Sequence, residues 1–139
     1  MNVAFAVGKN CRARGAVKKH WILIADRNPR VRAFLRRELR AEGYRVTVAG
    51  SRAEVVRAVF GDNRIDVIIL DPDLPDDDPA ALFSTLRSRI PAIPVIIHTF
   101  VQDGQNAAPP AANEIFVEKQ ANSIETLKKI VRDITCKNP

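Results

Sequence analysis

Five short apolar runs rich in Val and Ile recur along the chain, and their spacing constrains the fold more than any other feature. They occupy residues 21–25, 46–49, 67–70, 95–97 and 115–117. Polar and apolar residues do not alternate strictly within these runs, which is typical of strands covered on both faces in a parallel sheet. The runs therefore predict five buried, parallel strands.

Helical patterns fill the first three connections between these runs. Gly43 is placed to end the first predicted helix. Ser51 and Glu54 form a capping box at the start of the second. Asp78 precedes Pro79, which puts a capping residue before a first-turn proline at the start of the third helix.

The remaining two segments differ from each other. Gly104, Pro109 and Pro110 interrupt the connection 101–112, so the fourth helix is predicted to be short or broken. After the last run, Ser123 is predicted to cap a final amphipathic helix.

Strands that alternate with helices predict βαβ units with right-handed crossovers. We therefore expect an α/β fold, a three-layer, doubly wound, five-stranded parallel sheet. The 139 residues suit one domain, which we place at residues 20–136. Residues 1–19 show no sustained period and are predicted to form a basic, flexible extension.

The net charge of +6 is concentrated at the start of the chain, because residues 1–20 hold five Lys and Arg residues and no acid. This stretch lacks interleaved aromatic residues, so nucleic acid binding is not expected. No apolar run approaches the roughly 20 residues of a membrane span, and the two cysteines form no dense framework. We expect a cytoplasmic protein with no membrane association.

Polar residues follow four of the five predicted strands. They are Asp26, Asp71, Thr99 and Lys119. Ligands of open α/β sheets bind at the carboxyl ends of the strands, so we expect these side chains to meet at one edge. Such a group suits phosphoryl chemistry: one carboxylate is a nucleophile and the other binds Mg²⁺. The hydroxyl and the ammonium then bind phosphoryl oxygens.

Four segments resemble those of response-regulator receiver domains. ILIADRNPR at 22–30 is similar to the first strand and acidic turn, and DVIILDPDLP at 66–75 to the phosphoacceptor strand and its proline loop. PVIIHT at 94–99 is similar to the strand that ends in the switch Ser or Thr, and FVEK at 116–119 to the segment with the aromatic switch residue and the lysine. The four occur in the family's order and the resemblance spans about residues 21–135. It implies the flavodoxin-like fold of receiver domains.

The resemblance implies that Asp71 is the phosphoacceptor and that Thr99 and Lys119 contact the phosphoryl group. Phe116 would be the aromatic residue that reorients with Thr99. The implied partners are a histidine kinase or phosphotransfer protein and an unknown output protein, reached by protein contact because we expect no effector domain. We expect no enzyme activity beyond the domain's own phosphorylation and dephosphorylation.

The resemblance also implies a Mg²⁺ site formed by Asp26, Asp71 and the backbone carbonyl of Asp73. Receiver domains usually carry a second acid after the first strand, but this chain has Arg27 there. Asp26, Asp71, Arg27 and Lys119 sum to zero charge without a metal, so an inward-pointing Arg27 would repel a divalent cation. We expect Mg²⁺ binding, and metal-assisted phosphorylation with it, to be weakened.

Three smaller departures from the receiver-domain pattern also predict weakened phosphorylation. Bulky Phe100 follows Thr99 where a small residue is usual, and Pro72 removes a backbone N–H next to Asp71. Gln120 replaces a proline that is often cis in the family, so we expect a trans bond and a displaced Lys119.

These departures keep a second hypothesis open, a pseudo-receiver that acts as an interaction module without phosphorylation, with Arg27 paired to Asp71 or Asp26. A third, an unrelated small α/β enzyme, is disfavoured because the sequence contains no GxGxxG, P-loop, GxSxG or HExxH motif. His98 is interpreted as a packed strand residue, since no metal-ligand spacing surrounds it.

Overall fold

The structure is a computed structural model that describes residues 19–75, 78–100 and 110–137. The predicted flexible extension, apart from Lys19, and most of the predicted broken connection between the fourth and fifth strands lie outside the described residues.

Five parallel strands form one sheet in the order β2-β1-β3-β4-β5, which confirms the predicted α/β class. The strands are β1 (Trp21–Ala25), β2 (Arg45–Ala49), β3 (Val67–Leu70), β4 (Val95–Thr99) and β5 (Glu114–Glu118). Three of them are one or two residues longer than their apolar runs, because polar residues at the ends also join the backbone ladder.

Four helices are described: α1 (Pro29–Ala41), α2 (Arg52–Phe60), α3 (Pro79–Arg87) and α4 (Ser123–Lys137). Gly43 ends α1 with φ of 99°, a conformation that favours glycine. The Asp78 side chain accepts the N–H of Ala80, as the cap prediction requires. Within the described ranges, no helix combines the length and apolar character that a bilayer span requires.

Two predicted helix starts differ in detail. Ser51 accepts the N–H of Glu54 (3.3 Å), but the Glu54 carboxylate bonds to the N–H of Gly50 (2.6 Å) rather than to that of Ser51. Ser123 is the first residue of α4 and lies within its first turn, so the cap prediction was wrong by one position. Its hydroxyl instead contacts the buried His98 ring.

Apolar side chains cover both faces of the sheet, which accounts for the unbroken apolar runs. Val55 of α2 and Leu82 of α3 pack on one face, and Leu35 of α1 and Leu127 of α4 pack on the other. Burial of each such side chain contributes about 2 kcal/mol. The resulting three layers leave the carboxyl ends of the central strands free to carry polar side chains.

Candidate functional site

Asp26 and Asp71 lie side by side because they follow two adjacent strands, β1 and β3. The N–H of Asp71 donates to the Ala25 carbonyl (2.7 Å) and that of Asp26 to the Ala49 carbonyl (3.1 Å). These bonds extend the ladder by one residue and fix both backbones. Each aspartate is only 1% exposed, so the predicted meeting of two carboxylates at this edge is observed.

Lys119 joins the two carboxylates from the end of β5. Its Nζ lies 2.9 Å from Asp26 Oδ2 and 3.3 Å from Asp71 Oδ2. Among the described residues a cis peptide bond occurs at Ile90–Pro91 and not at Lys119–Gln120. The expectation that Lys119 is displaced was nevertheless wrong, because its N–H donates to the Thr99 carbonyl (2.7 Å) and this bond holds it in place.

Burial dominates the protonation of Asp26. Removal from water raises its pKa, and the negative charge of Asp71 raises it further. The N–H of Asn28, which donates to Asp26 Oδ1 (2.8 Å), and the Lys119 ammonium both lower the pKa of Asp26. The carboxylate therefore depends on Lys119 for much of the stability of its charged form.

The Asp71 carboxylate is held from two sides. Its Oδ1 accepts the N–H of Asp73 (3.0 Å), which takes the place of the N–H that Pro72 lacks. Its Oδ2, which faces Lys119, also receives a long hydrogen bond of 3.4 Å from the N–H of Arg27. Asp73 thus contacts Asp71 through its N–H, and a metal-binding role for its carbonyl stays a prediction.

The Arg27 side chain lies beside the same carboxylate. Its Nε is 3.6 Å from Asp71 Oδ2, while 48% of the side chain is exposed to solvent. A half-exposed pair at this distance stabilises the fold little. It nevertheless places a second positive charge next to Asp71.

Thr99 contributes a hydroxyl with no hydrogen-bond partner among the described residues, although it is buried. A buried hydroxyl left unpaired costs about 1–3 kcal/mol, so this oxygen is available to a ligand at the site. Phe116 is largely exposed on the edge strand β5. Its role as a switch residue stays a prediction, as does the effect of Phe100, whose ring centroid lies 5.5 Å from the Lys119 ammonium.

Comparison with known families decides what kind of domain carries this site. The family model of the response regulator receiver domain matches residues 22–132. The chain belongs to the response regulator receiver family.

Curated relatives are similar to this receiver domain over part of their length. TcrX, a probable transcriptional regulatory protein of Mycobacterium tuberculosis, is 33% identical over 78 residues, which are 56% of this chain and 33% of TcrX. TorR, the TorCAD operon transcriptional regulatory protein of Escherichia coli, is 36% identical over 70 residues, 50% of this chain and 30% of TorR. The matched region thus spans about a third of these relatives.

Solved receiver structures share the fold. The response regulator TrrA of Thermotoga maritima, solved in complex with Mg²⁺ and BeF, is 26% identical with a TM-score of 0.70, and the match covers 82% of this chain and 98% of TrrA. The receiver domain of the hybrid histidine kinase CckA is 27% identical with a TM-score of 0.66, and the match covers 82% and 97% of the two chains. These likenesses confirm the predicted flavodoxin-like receiver fold.

The residues of this receiver domain do not fit a tightly held Mg²⁺ ion. Its two site carboxylates both contact Lys119, and Arg27 adds a second cation at Asp71. Within the described residues no group of three or more acidic, His or Cys side chains is placed to hold a metal. A divalent ion at this site would be repelled by the two cations, Lys119 and Arg27, unless it displaced them. It would also have one carboxylate ligand fewer than receiver domains usually provide.

Two further residues support the site. Arg32 Nη1 donates to the Asp26 carbonyl (2.7 Å) and lies where a side chain at Gly50 would clash with it. No sequence pattern distinguishes Arg32, since it is one of several arginines on the same helix. His98 is buried as predicted, its Nε2 lies 3.1 Å from the Ser123 hydroxyl, and burial lowers its pKa to about 4, with a smaller lowering by Lys119.

Proposed function

We propose that this receiver domain accepts a phosphoryl group on Asp71 from a phosphohistidine of a histidine kinase or phosphotransfer protein, and signals by protein contact. One observation carries the proposal. The Asp71 carboxylate is paired with the Lys119 ammonium, and the unpartnered Thr99 hydroxyl lies at the carboxyl end of the neighbouring strand β4.

The transfer needs only groups that the chain and its phosphodonor supply. An Asp71 carboxylate oxygen attacks phosphorus, an O–P bond forms, and the N–P bond to the donor imidazole breaks. The electron pair stays on the imidazole nitrogen, which then takes up a proton. Lys119 offsets negative charge on the phosphoryl group, and the Thr99 hydroxyl donates a hydrogen bond to it. We assign the domain no reaction beyond this transfer and the later hydrolysis of the acyl phosphate.

Arg27 supplies the second positive charge in this proposal. With Lys119 it balances the charges of Asp26 and Asp71, so the pocket is neutral before a donor arrives. In-line transfer requires positive charge at the phosphoryl oxygens as negative charge builds there. We therefore expect phosphorylation of Asp71 to depend only weakly on Mg²⁺.

Beryllofluoride, an analogue of the phosphoryl group, tests whether the pocket takes up such a group. We expect its addition to shift the amide resonances of Thr99 and Lys119 in the wild type, with or without Mg²⁺. The matched control is Asp71→Asn, which keeps the shape of the side chain and should show no shift. The absence of shifts in the wild type under both conditions would overturn the proposal.

The Arg27 contact favours a second function, a pseudo-receiver that binds partners without phosphorylation. In that case Arg27 and Lys119 hold Asp71 permanently paired, and one conformation is fixed. Uptake of beryllofluoride by Arg27→Gln but not by the wild type would support this second function and contradict the first.

Replacement of Arg27 by an acid should restore metal binding. Arg27→Asp changes the local charge by two, and at ~6 Å this alters the energy of a divalent ion by about 2–3 kcal/mol even at the dielectric of water. We expect Mg²⁺ affinity to rise at least about tenfold, measured by titration of amide shifts. Arg57→Asp, which makes the same charge change on α2, serves as the control and should leave the affinity unchanged.

A further inference from the structure

A basic cleft lies at the amino ends of β1 and β2, which is the end of the sheet opposite to Asp71. β1 begins there with Trp21, which is paired in register with Arg45 at the start of β2, and α1 ends nearby. The cleft has a volume of about 410 Å³. Six of its lining residues carry charge or an aromatic ring: Lys19, Arg36, Arg40, Arg45, Trp21 and Tyr44.

The four cations of the basic cleft are not neutralised by the fold. Within the described part of the chain, no acidic residue lines the cleft, and none of the four cations forms an ion pair. Cations outside the lining do pair: Lys128 with Glu38 (2.9 Å), and Arg64 with Asp66 (2.7 Å), a carboxylate that also accepts the N–H of Trp21 (2.8 Å). The basic cleft is therefore a concentrated site of positive charge.

The carboxyl end of α1 has a partial negative charge that offsets the positive charge of the basic cleft only in part. A helix C-terminus carries roughly half a negative charge, against four full positive charges. Two of the terminal carbonyls are already satisfied, since the N–H of Glu42 donates to Leu39 and that of Gly43 to Arg40. The balance at the cleft favours an anionic ligand.

Two aromatic residues lie among these cations. The guanidinium of Arg45 stands 5.3 Å from the centre of the Trp21 ring, and Tyr44 precedes Arg45 in the chain. Cations that contact phosphates, together with aromatic rings on which bases stack, are the combination that binds single-stranded nucleic acid. The sequence disfavours nucleic acid binding because residues 1–20 hold no aromatic residues between their cations. The fold, however, places Trp21 and Tyr44 in the same cleft as Lys19.

The distribution of charge along the sequence favours a long anion over a single nucleotide. The first 45 residues hold 12 Lys and Arg residues and three acids, whereas the other 94 hold 10 and 13. Four more cations precede Lys19 in the sequence without an intervening acid: Lys9, Arg12, Arg14 and Lys18. We propose that the basic cleft binds single-stranded nucleic acid, with its phosphates on the arginines and a base on Trp21.

The single tryptophan makes this proposal directly measurable, because Trp21 is the only Trp of the chain and lines the cleft. An oligothymidylate of about 12 nucleotides, within the usual range of site sizes, is titrated into the full chain. We expect saturable quenching of Trp21 fluorescence that weakens with salt. An oligonucleotide that binds without quenching Trp21 would bind elsewhere, and this result would overturn the proposal.

Two matched double variants test the residues. Arg36→Ala/Arg40→Ala removes two cleft cations, and Arg57→Ala/Lys129→Ala removes two exposed cations that do not line it. We expect the first double variant to lose about tenfold in affinity at low salt. The slope of log K against log salt should become shallower by about 1.4, since each phosphate contact to a single strand contributes about 0.7 to this slope. The second pair should stay within about twofold of the wild type.

Other outcomes would contradict the proposal. Equal losses in both double variants would mean unspecific attraction to a basic protein. Equal quenching by polyglutamate of the same length would assign the cleft to an acidic protein segment instead. The proposal does not rest on phosphorylation, so Asp71→Asn should bind the oligonucleotide like the wild type, and failure of one proposal leaves the other standing.

Discussion

Asp26 and Asp71 are buried carboxylates whose charges the fold tolerates because Lys119 reaches both. An unpaired charge taken out of water costs several kcal/mol even after relaxation. The half-exposed Arg27 contributes less to stability, but it places a positive charge 3.6 Å from Asp71 Oδ2. In the proposed phosphoryl transfer, this one residue in the turn after β1 therefore reduces the dependence on Mg²⁺.

His98 should make the fold sensitive to mild acid. Its pKa is lowered to about 4 in the folded protein, mainly by burial, against about 6.5 in the unfolded chain. The unfolded state thus binds a proton first, and stability that is complete above pH ~6.5 falls as pH drops toward 4, by up to about 3 kcal/mol. The raised pKa of Asp26 acts in the opposite direction.

Comparison with a variant isolates the contribution of His98. His98→Gln keeps a polar partner for the Ser123 hydroxyl but cannot titrate in this range. Urea unfolding between pH 7 and pH ~4.5 should show a larger loss of stability in the wild type than in the variant. Identical pH dependence of the two proteins would contradict the account of His98.

At the scale of elements, an ion pair between a half-exposed arginine and a buried glutamate ties the last turn of α3 to the start of β5. Arg87 donates to Glu114 from Nε (2.9 Å) and from Nη2 (2.8 Å), and the N–H of Ala111 donates to the same carboxylate (2.9 Å). The Glu114 side chain is 1% exposed, and the hydrogen bond from Arg87 lowers its pKa. This pair anchors an edge strand whose other sheet contacts are with β4 alone.

Arg87→Ala should destabilise the protein by about 2 kcal/mol at pH 7, because it leaves a buried carboxylate with little compensation. Arg57→Ala, a change to an exposed arginine of α2, should cost under about 0.5 kcal/mol. A carboxyl group whose pKa is lowered in the folded state stabilises the fold only at pH values at which it is ionised. The difference in free energy of unfolding between the wild type and Arg87→Ala should therefore narrow as pH falls through the pKa of Glu114. Urea unfolding at several pH values measures both effects, and equal stability of the two variants at pH 7 would contradict the assignment.

The elements predicted best are those whose signal is local. β1 and β3 have the predicted bounds because they are apolar from end to end, whereas β4 continues through the polar His98 and Thr99. The Asp78 cap was predicted because it needs only neighbouring residues. The Arg87–Glu114 pair could not be predicted, since it joins residues 27 positions apart through the orientation of α3. The position of Ser123 was missed because its hydroxyl is drawn to His98, a contact between distant segments.

At the scale of the whole molecule, the sheet topology explains why the positions of the candidate site residues were predictable. Parallel strands bring their carboxyl ends to one edge, so residues at or directly after the ends of β1, β3, β4 and β5 lie near one another there whatever the details of packing. The distances from Lys119 to the two carboxylates, and the side on which Arg27 lies, required the structure. The basic cleft could not be predicted, because Lys19, Arg40 and Arg45 are separated in sequence and share no pattern.

The same topology separates the two proposed activities. Asp71 lies beyond the carboxyl end of β3, whereas the basic cleft lies at the amino ends of β1 and β2. Substitutions at one edge should therefore leave the other intact, and additive effects are expected for sites that share no partners.

The intact mass of the full chain after exposure to acetyl phosphate tests the central claim most directly. We expect the wild type to gain the mass of one phosphoryl group in the presence of either Mg²⁺ or a chelator, and Asp71→Asn to gain none. If the wild type gains no mass under either condition, or if Asp71→Asn gains as much mass as the wild type, the assignment of Asp71 as the phosphoacceptor is contradicted.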